Sequence, residues 1–136
     1  SVVAALKNVP NIATEESRKI LFIGDMLQLG KNERQKHVEL ADAIVASGID
    51  KVFAVGELSS SLFQALPSAL RGQQFSDVST ASIVAKEIVG NGDVVLIKGS
   101  NAMEMWRVVR ALREVSTPTD ITVVQPPRTR REGVVT

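Results

Sequence analysis

The chain has 136 residues, of which 44% are hydrophobic and 23% are charged, and this composition is typical of one globular domain. Its formal net charge of +1 gives no reason to expect nucleic-acid or anionic-membrane binding. Cysteine is absent and His37 is the one histidine, so the sequence excludes disulfides, thiolate metal sites and His-rich metal sites. No apolar run approaches the roughly 20 residues that a membrane-spanning helix needs.

The beginning of the chain predicts a helix over residues 2–9 that stops at Pro10, followed by a polar loop over 11–18. The helical pattern is already under way at the first residues, and the chain does not begin with methionine. The basic start and long apolar stretch of a signal peptide are missing. We therefore expect a piece of a longer protein with a cytoplasmic location.

Two strand–helix units are predicted next, because short apolar runs alternate with longer amphipathic patterns. They comprise a strand over 19–26, a helix over 31–48, a strand over 51–56 and a helix over 60–70. Gly48 is expected to end the first of these helices, and Pro67 to interrupt the second. The first helix is expected to bury one face, formed by Val38, Ala41, Ile44 and Val45.

The second half of the chain continues the alternation. It predicts a short edge strand over 73–78, a helix over 80–92, a strand over 93–99, a helix over 102–115 and a last strand over 120–125. Thr80 or Ser79 is expected to cap the first of these helices. Methionine and tryptophan at helical spacing are expected in the core or an interface: Met103, Met105 and Trp106. The tail is expected to be mobile, and its arginines solvated: Arg128, Arg130 and Arg131.

This alternation, with central strands that are continuously apolar, predicts an α/β fold whose parallel sheet is covered by helices on both faces. Ligands bind such sheets beyond the carboxyl ends of the strands. Three strand ends are therefore of interest: Gly24-Asp25, Gly56-Glu57 and Lys98-Gly99-Ser100.

The Lys98-Gly99-Ser100 turn has the residue types of an anion site. Glycine permits a sharp turn and close approach of a ligand, and the free N–H groups of the next helix favour an anion. Lys98 adds a positive charge, and Ser100 can donate a hydrogen bond. The alternative is a helix cap after a solvated strand-end charge.

Asp25 also has two interpretations. It can bind a ribose hydroxyl or a magnesium-associated water, or it can cap a turn before the helix that starts at Lys31. Glu57 is a weaker candidate, and His37 is expected to be structural or exposed. The sequence has no G-x-x-x-x-G-K-[ST] phosphate loop, no G-x-G-x-x-G fingerprint and no serine nucleophile elbow, so a complete enzyme is hard to build from this chain alone.

Three stretches taken together resemble the C-terminal domain of the Mur ligases. They are "ILFIGDMLQLG" (20–30), "KHVELADAIVASGIDKVFAVG" (36–56) and "GDVVLIKGSNAMEMWRVVRAL" (92–112). The resemblance implies a Rossmann-like three-layer sandwich with a mostly parallel sheet. It also implies that this domain spans residues 1–117, which leaves 118–136 as a possible last strand and mobile tail.

The branch of the family that this resemblance implies adds D-Ala-D-Ala to UDP-MurNAc-tripeptide in an ATP-dependent ligation. ATP and Mg²⁺ are then expected mainly outside this chain, and the partners are the enzyme's own N-terminal and central domains. The chain is expected to close over the nucleotide and the dipeptide and to be inactive alone. The resemblance implies nucleotide- or substrate-binding roles, and no catalytic or metal-ligating role, for Asp25, Lys98, Gly99, Ser100 and Asn101.

Two positions depart from the family pattern. Asn101 stands where arginine is common, and Trp106 stands where glutamate is expected. The first departure weakens the case for direct anchoring of a carboxylate at position 101. Two other interpretations stay open: a free-standing receiver-type signalling module, and a nucleotide-binding or interaction domain without catalysis.

Overall fold

The computed structural model describes residues 6, 17–25, 33–57, 59–90, 92–99, 104–115 and 122–124. They form a five-stranded sheet in the order β3-β2-β1-β4-β5, and every neighbouring pair is parallel. The strands are β1 (Lys19–Gly24), β2 (Lys51–Val55), β3 (Arg71–Phe75), β4 (Val94–Lys98) and β5 (Thr122–Val124). The helices are α1 (Glu33–Ser47), α2 (Ser59–Ala65), α3 (Val78–Ile88) and α4 (Trp106–Val115), with a 3₁₀ turn at Ser68–Leu70.

The predicted strands and helices are therefore confirmed, with shifted ends. The edge strand starts at Arg71, two residues before the predicted start, and the last helix starts at Trp106 instead of residue 102. Leu6 is helical, as predicted, and the rest of 2–9 lies outside the described residues. The predicted tail also lies outside them, so the domain boundary at 117 stays a prediction.

Successive residues of the central strands point to opposite faces, and both faces are apolar. On one face, Ile20 and Phe22 pack with α3 and α4. The ring of Phe22 stacks on that of Phe53, with 5.0 Å between centroids, and Phe53 stacks on Phe75. This core is buried because the two helices cover it, as the continuous apolar runs predict.

The opposite face buries Leu21 and Ile23 beneath α1, α2 and the helical residue Leu6. Helices thus cover both faces, which confirms the three-layer α/β class. Among the described residues, no helix combines the length and apolar character needed to cross a membrane.

The predicted buried face of α1 is partly wrong. Ala41 and Ile44 are buried, but Val38 and Val45 are each 49% exposed. Leu40 and Ala43 pack against the core in their place. Apolar residues occur on most sides of this helix, so the sequence periodicity alone did not show which of two neighbouring apolar faces is buried.

The predicted cap of α3 is also wrong. Asp77, and neither Ser79 nor Thr80, caps the helix, because its carboxylate accepts a 2.8 Å hydrogen bond from the Thr80 N–H group. This backbone hydrogen bond lowers the pKa of Asp77. Gly48 does end α1 as predicted, with a φ of +86° that suits glycine.

Candidate functional site

The strand order reverses between β1 and β4, the two central strands. Chain order runs outward from β1 through β2 and β3 on one side, and continues through β4 and β5 on the other. In open parallel sheets, the crevice beyond the carboxyl ends at such a reversal is where ligands bind. The register pairs Ile23 with Lys98, so Asp25 and Gly99 lie at this crevice.

The same order excludes the receiver-type interpretation. A receiver sheet has the order 2-1-3-4-5, in which the first and third strands are neighbours. Here β1 pairs with β2 and β4, and β3 lies at the edge. The observed order is that of a dinucleotide-binding Rossmann sheet, 3-2-1-4-5.

Lys98 is a half-buried cation at the end of β4. Burial lowers its pKa below the ordinary lysine value of 10.5, because the low-dielectric surroundings disfavour the charged form. In the described part of the chain, no carboxylate forms an ion pair with its ammonium group. A half-buried cation of this kind at the crevice is suited to holding an anion.

Gly99 is small for a different reason from the one that the sequence suggested. Its backbone is not in the left-handed region, so no turn requires glycine here. A Cβ at position 99 would lie 2.6 Å from Cγ of Met105 and 3.3 Å from Cα of Gly24. Gly99 therefore lets Met105 pack close to the β1–β4 pair, and its part in ligand binding stays a prediction.

Asp25 is engaged with a helix other than the one considered from sequence. Its Oδ1 accepts a 2.8 Å hydrogen bond from the N–H of Ser59, the first residue of α2. The turn before Lys31, where a cap was predicted, lies outside the described residues. Asp25 is partly exposed as a whole residue, and its contact with a ligand stays a prediction.

The other predicted residues divide into described and undescribed ones. Ser100 and Asn101 lie outside the described residues, as does the His37 side chain. Glu57 is exposed at the carboxyl end of β2. Ser59 and Gln74, which the sequence did not single out, also contact this edge of the sheet through hydrogen bonds.

The α4 helix begins just beyond the crevice. Met105 is buried, as predicted, whereas Trp106 is 39% exposed and Met103 lies outside the described residues. Glu104 has a φ of +54°, and its carboxylate lies 3.5 Å from Nη1 of Arg107. Arg107 also donates a 2.8 Å hydrogen bond to Oγ of Ser79, which joins the starts of α3 and α4.

A metal centre is not found in the part of the chain that the structure describes. No group of three or more histidine, cysteine, aspartate or glutamate residues is placed there to hold a metal ion. Among the described residues, the crevice between β1 and β4 has the Lys98 cation, the Asp25 carboxylate and the close-packed backbone of Gly24 and Gly99, a set suited to binding and orienting a polar ligand.

Residues 1–101 match the sequence profile of the Mur ligase glutamate ligase domain. The chain belongs to this family. The Mur ligase domain is 36% identical over 101 residues to the UDP-N-acetylmuramoyl-tripeptide–D-alanyl-D-alanine ligase of Escherichia coli K12, covering 73% of this chain and 22% of that protein. It is 28% identical over 109 residues to the enzyme of the same name from Rickettsia prowazekii, covering 80% and 24%.

A solved structure supports the fold of the Mur ligase domain. The crystal structure of MurF ligase from Thermotoga maritima in complex with ADP superposes with a TM-score of 0.61 at 22% identity. The match covers 82% of this chain and 24% of that one. The chain thus spans about a quarter or less of the length of the relatives that it matches.

Proposed function

We propose that this chain is the C-terminal domain of an ATP-dependent ligase that joins D-Ala-D-Ala to UDP-MurNAc-tripeptide in peptidoglycan precursor synthesis. The observation that carries the proposal is its 36% identity over 101 residues to the E. coli protein named for that ligation. We place the enzyme in the cytoplasm, where ATP and the UDP-linked substrate are available. The enzyme's N-terminal and central domains are its proposed intramolecular partners.

In the proposed reaction, the terminal phosphoryl group of ATP is transferred to the tripeptide carboxylate, which gives an acyl phosphate and ADP. The dipeptide amine then attacks the acyl carbon, loses a proton and displaces phosphate, and the amide bond forms. Orientation of the reacting groups and stabilisation of the developing negative charge account for most of the rate in such a mechanism. ATP and Mg²⁺ are proposed to bind mainly in the other domains.

This chain is proposed to supply one wall of the closed active site. Lys98 fits an anionic group of the nucleotide or the dipeptide, because it is half-buried and has no carboxylate partner in the described residues. Gly99 follows Lys98, and Asp25 lies at the crevice after β1. Ser100 and Asn101 lie outside the described residues, and their binding roles are proposed from the family resemblance alone. Binding energy from this wall would be realised when the domains close.

The test uses the full-length protein that carries this chain. Phosphate release is measured with ATP, UDP-MurNAc-tripeptide and D-Ala-D-Ala, and with each of them left out in turn. We expect release that depends on all three. Release that does not respond to the dipeptide, or a longer protein without a G-T-N-G-K-T-like phosphate loop upstream, would refute the proposal.

The isolated chain provides the matched control. We expect no turnover from it, and little heat when ATP is titrated to sub-millimolar concentration, because most of the nucleotide contacts lie elsewhere and preorganisation is lost. Micromolar binding of ATP by this chain alone would instead support an independent nucleotide-binding module.

A further inference from the structure

The carboxyl end of β1 is fixed to the start of α2 by one side chain. Asp25 and Ser59 are 34 residues apart in sequence, yet Oδ1 of Asp25 lies 2.8 Å from the backbone nitrogen of Ser59. The first N–H groups of a helix have no partner within the helix, so a side-chain acceptor there has a large local effect. The bond is a long-range contact that joins two neighbouring strand ends.

Gly56 makes this contact possible. It has a φ of +102°, and a Cβ added to it would lie 2.5 Å from the Asp25 carboxyl atoms. Any larger residue would thus displace the carboxylate from its place against the turn after β2. The carboxylate occupies the space that a side chain at position 56 would need.

The turn after β2 is held from the other side as well. The carbonyl oxygen of Gly56 accepts hydrogen bonds from Oγ of Ser59 at 3.1 Å and from Nε2 of Gln74 at 2.9 Å. Its N–H group donates to the carbonyl oxygen of Phe75 in β3, at 2.8 Å. The ends of β1, β2 and β3 are therefore connected through one turn.

We propose that Asp25 is a positioning residue, which holds the turn after β2 against the end of β1 and so shapes one wall of the crevice opposite Lys98. This inference rests on the proposed function and assigns Asp25 an indirect part in binding. The carboxylate acts through the Ser59 N–H group. What it must supply is a hydrogen-bond acceptor of the right length, and its negative charge is secondary.

Asparagine and alanine at position 25 separate these two roles in the full-length enzyme. Asp25→Asn keeps an acceptor oxygen but removes the charge, whereas Asp25→Ala removes both. We expect Asp25→Ala to lower kcat/KM by about tenfold to a hundredfold, as misplacement of a binding wall does, and Asp25→Asn to restore most of that loss. If Asp25→Asn is as damaging as Asp25→Ala, the charge itself binds ligand and the positioning role is refuted.

The donor can be removed as well. Ser59 is the first helical position, which tolerates proline, and Ser59→Pro deletes the N–H group. Ser59→Ala is its matched control, since it loses the hydroxyl but keeps the N–H. We expect Ser59→Pro to resemble Asp25→Ala in KM and kcat, and Ser59→Ala to lose less.

Combining Asp25→Ala with Ser59→Pro tests whether the two residues act through one bond. The double variant should be about as active as the less active of the two single variants. If the two residues had independent roles, the two losses of activity would multiply. A multiplied loss therefore overturns the proposal.

A readout independent of activity distinguishes failure of this inference from failure of the proposed function. The Ser59 amide has no partner within the helix, so its exchange with solvent reports the hydrogen bond to Asp25. We expect slow exchange in the chain and in Asp25→Asn, and faster exchange in Asp25→Ala. Equal exchange rates in all three overturn the bond, whether or not the full-length protein is a ligase.

Discussion

The two central strands, β1 and β4, have charged residues at both ends, and the two ends use them differently. At the amino end, Arg18 precedes β1 and Asp93 precedes β4, and they form a bidentate ion pair. Nε of Arg18 lies 3.2 Å from Oδ1 of Asp93, and Nη2 lies 2.6 Å from Oδ2. Asp93 also accepts from the Gly90 N–H group, and Arg18 donates to the carbonyl oxygen of Ile88. Every charge in this group has a protein partner.

The carboxyl end of the same two strands is the opposite case. Lys98 is half-buried, burial lowers its pKa, and among the described residues no carboxylate forms an ion pair with it. Desolvation of the charged form opposes folding, so Lys98 as a cation contributes less to stability than a paired charge would. The charges at the amino end therefore stabilise the fold, whereas a ligand-binding role for the carboxyl end stays a prediction.

We expect the largest loss of stability when the ion pair at the amino ends of β1 and β4 is removed. Asp93 is 5% exposed, so Asp93→Ala leaves the Gly90 N–H group and part of Arg18 without an acceptor. We expect a loss of about 3 kcal/mol in the free energy of unfolding, measured with urea. The full-length enzyme should keep its KM values at a temperature where the variant is folded.

Arg18→Ala provides the partner variant for this prediction. Because the two residues share one interaction, their combined loss should be smaller than the sum of the single losses. A loss from Asp93→Ala no larger than that from Lys98→Ala would contradict the difference between the two ends.

The next largest loss of stability is expected when a side chain is added at Gly99, at the carboxyl end of the sheet. Gly99→Val adds a branched side chain where Cγ of Met105 and the Gly24 backbone already fill the space. We expect a loss of about 2 kcal/mol in the free energy of unfolding. Gly90→Val is the matched control, because no atom lies within 4 Å of a Cβ there. Equal losses at both positions would show that close packing at Gly99 is unimportant.

For Lys98→Ala we expect a small change in the free energy of unfolding and a larger change in enzyme activity. Its unfolding free energy should change by less than about 1 kcal/mol, because no described ion pair is lost. If Lys98 holds an anionic ligand, kcat/KM of the full-length enzyme should fall at least about tenfold. Unchanged kinetics would return this residue to the role of a solvated strand-end charge.

The smallest effect is a pH dependence of stability. Because the folded-state pKa of Lys98 is lowered, the unfolded chain binds this proton more tightly, and the destabilisation is complete below the folded-state pKa. It disappears as pH rises to the ordinary value of 10.5. Relative to Lys98→Met, the wild-type chain should therefore gain stability across the alkaline range below 10.5 in urea unfolding. A wild-type chain that loses stability relative to the variant would contradict the desolvation.

Activity should move in the opposite direction. An anion held by Lys98 is released as the ammonium group loses its proton, so kcat/KM should decline on the alkaline side. Lys98→Arg keeps its charge there and should decline at higher pH. The same alkaline limit in both proteins would show that another group controls it.

Much of the fold was predictable because the local pattern and the final environment agree. The apolar runs of β1, β2 and β4 are buried on both faces, so a short continuous run had one consistent interpretation. The face of α1 was not predictable in the same way, since apolar residues occur on several sides of that helix. The Asp77 cap was missed because Asp77, Ser79 and Thr80 lie within four residues and offered equally good local signals.

The location of the candidate site was predictable from the sequence, but most of its individual contacts were not. Parallel strand ends converge at one edge whatever their side chains do, so the positions of Asp25 and Lys98 followed from the alternation of elements. The bond from Asp25 to Ser59 did not follow, because it depends on how two loops approach each other in three dimensions. The lack of space for a side chain at positions 56 and 99 is likewise tertiary, because in each case another side chain occupies it, and Gly56 has a second, local reason in its φ of +102°.

Trp106 gives this end of the molecule a built-in optical label. It is the one tryptophan of a chain that has no tyrosine, so ultraviolet emission beyond that of phenylalanine comes from a single known position. Trp106 is 39% exposed at the start of α4, the helix that follows β4. Further burial of its indole would shift the fluorescence maximum to shorter wavelength. A ligand or domain that buries Trp106 can thus be followed in real time without attaching a dye.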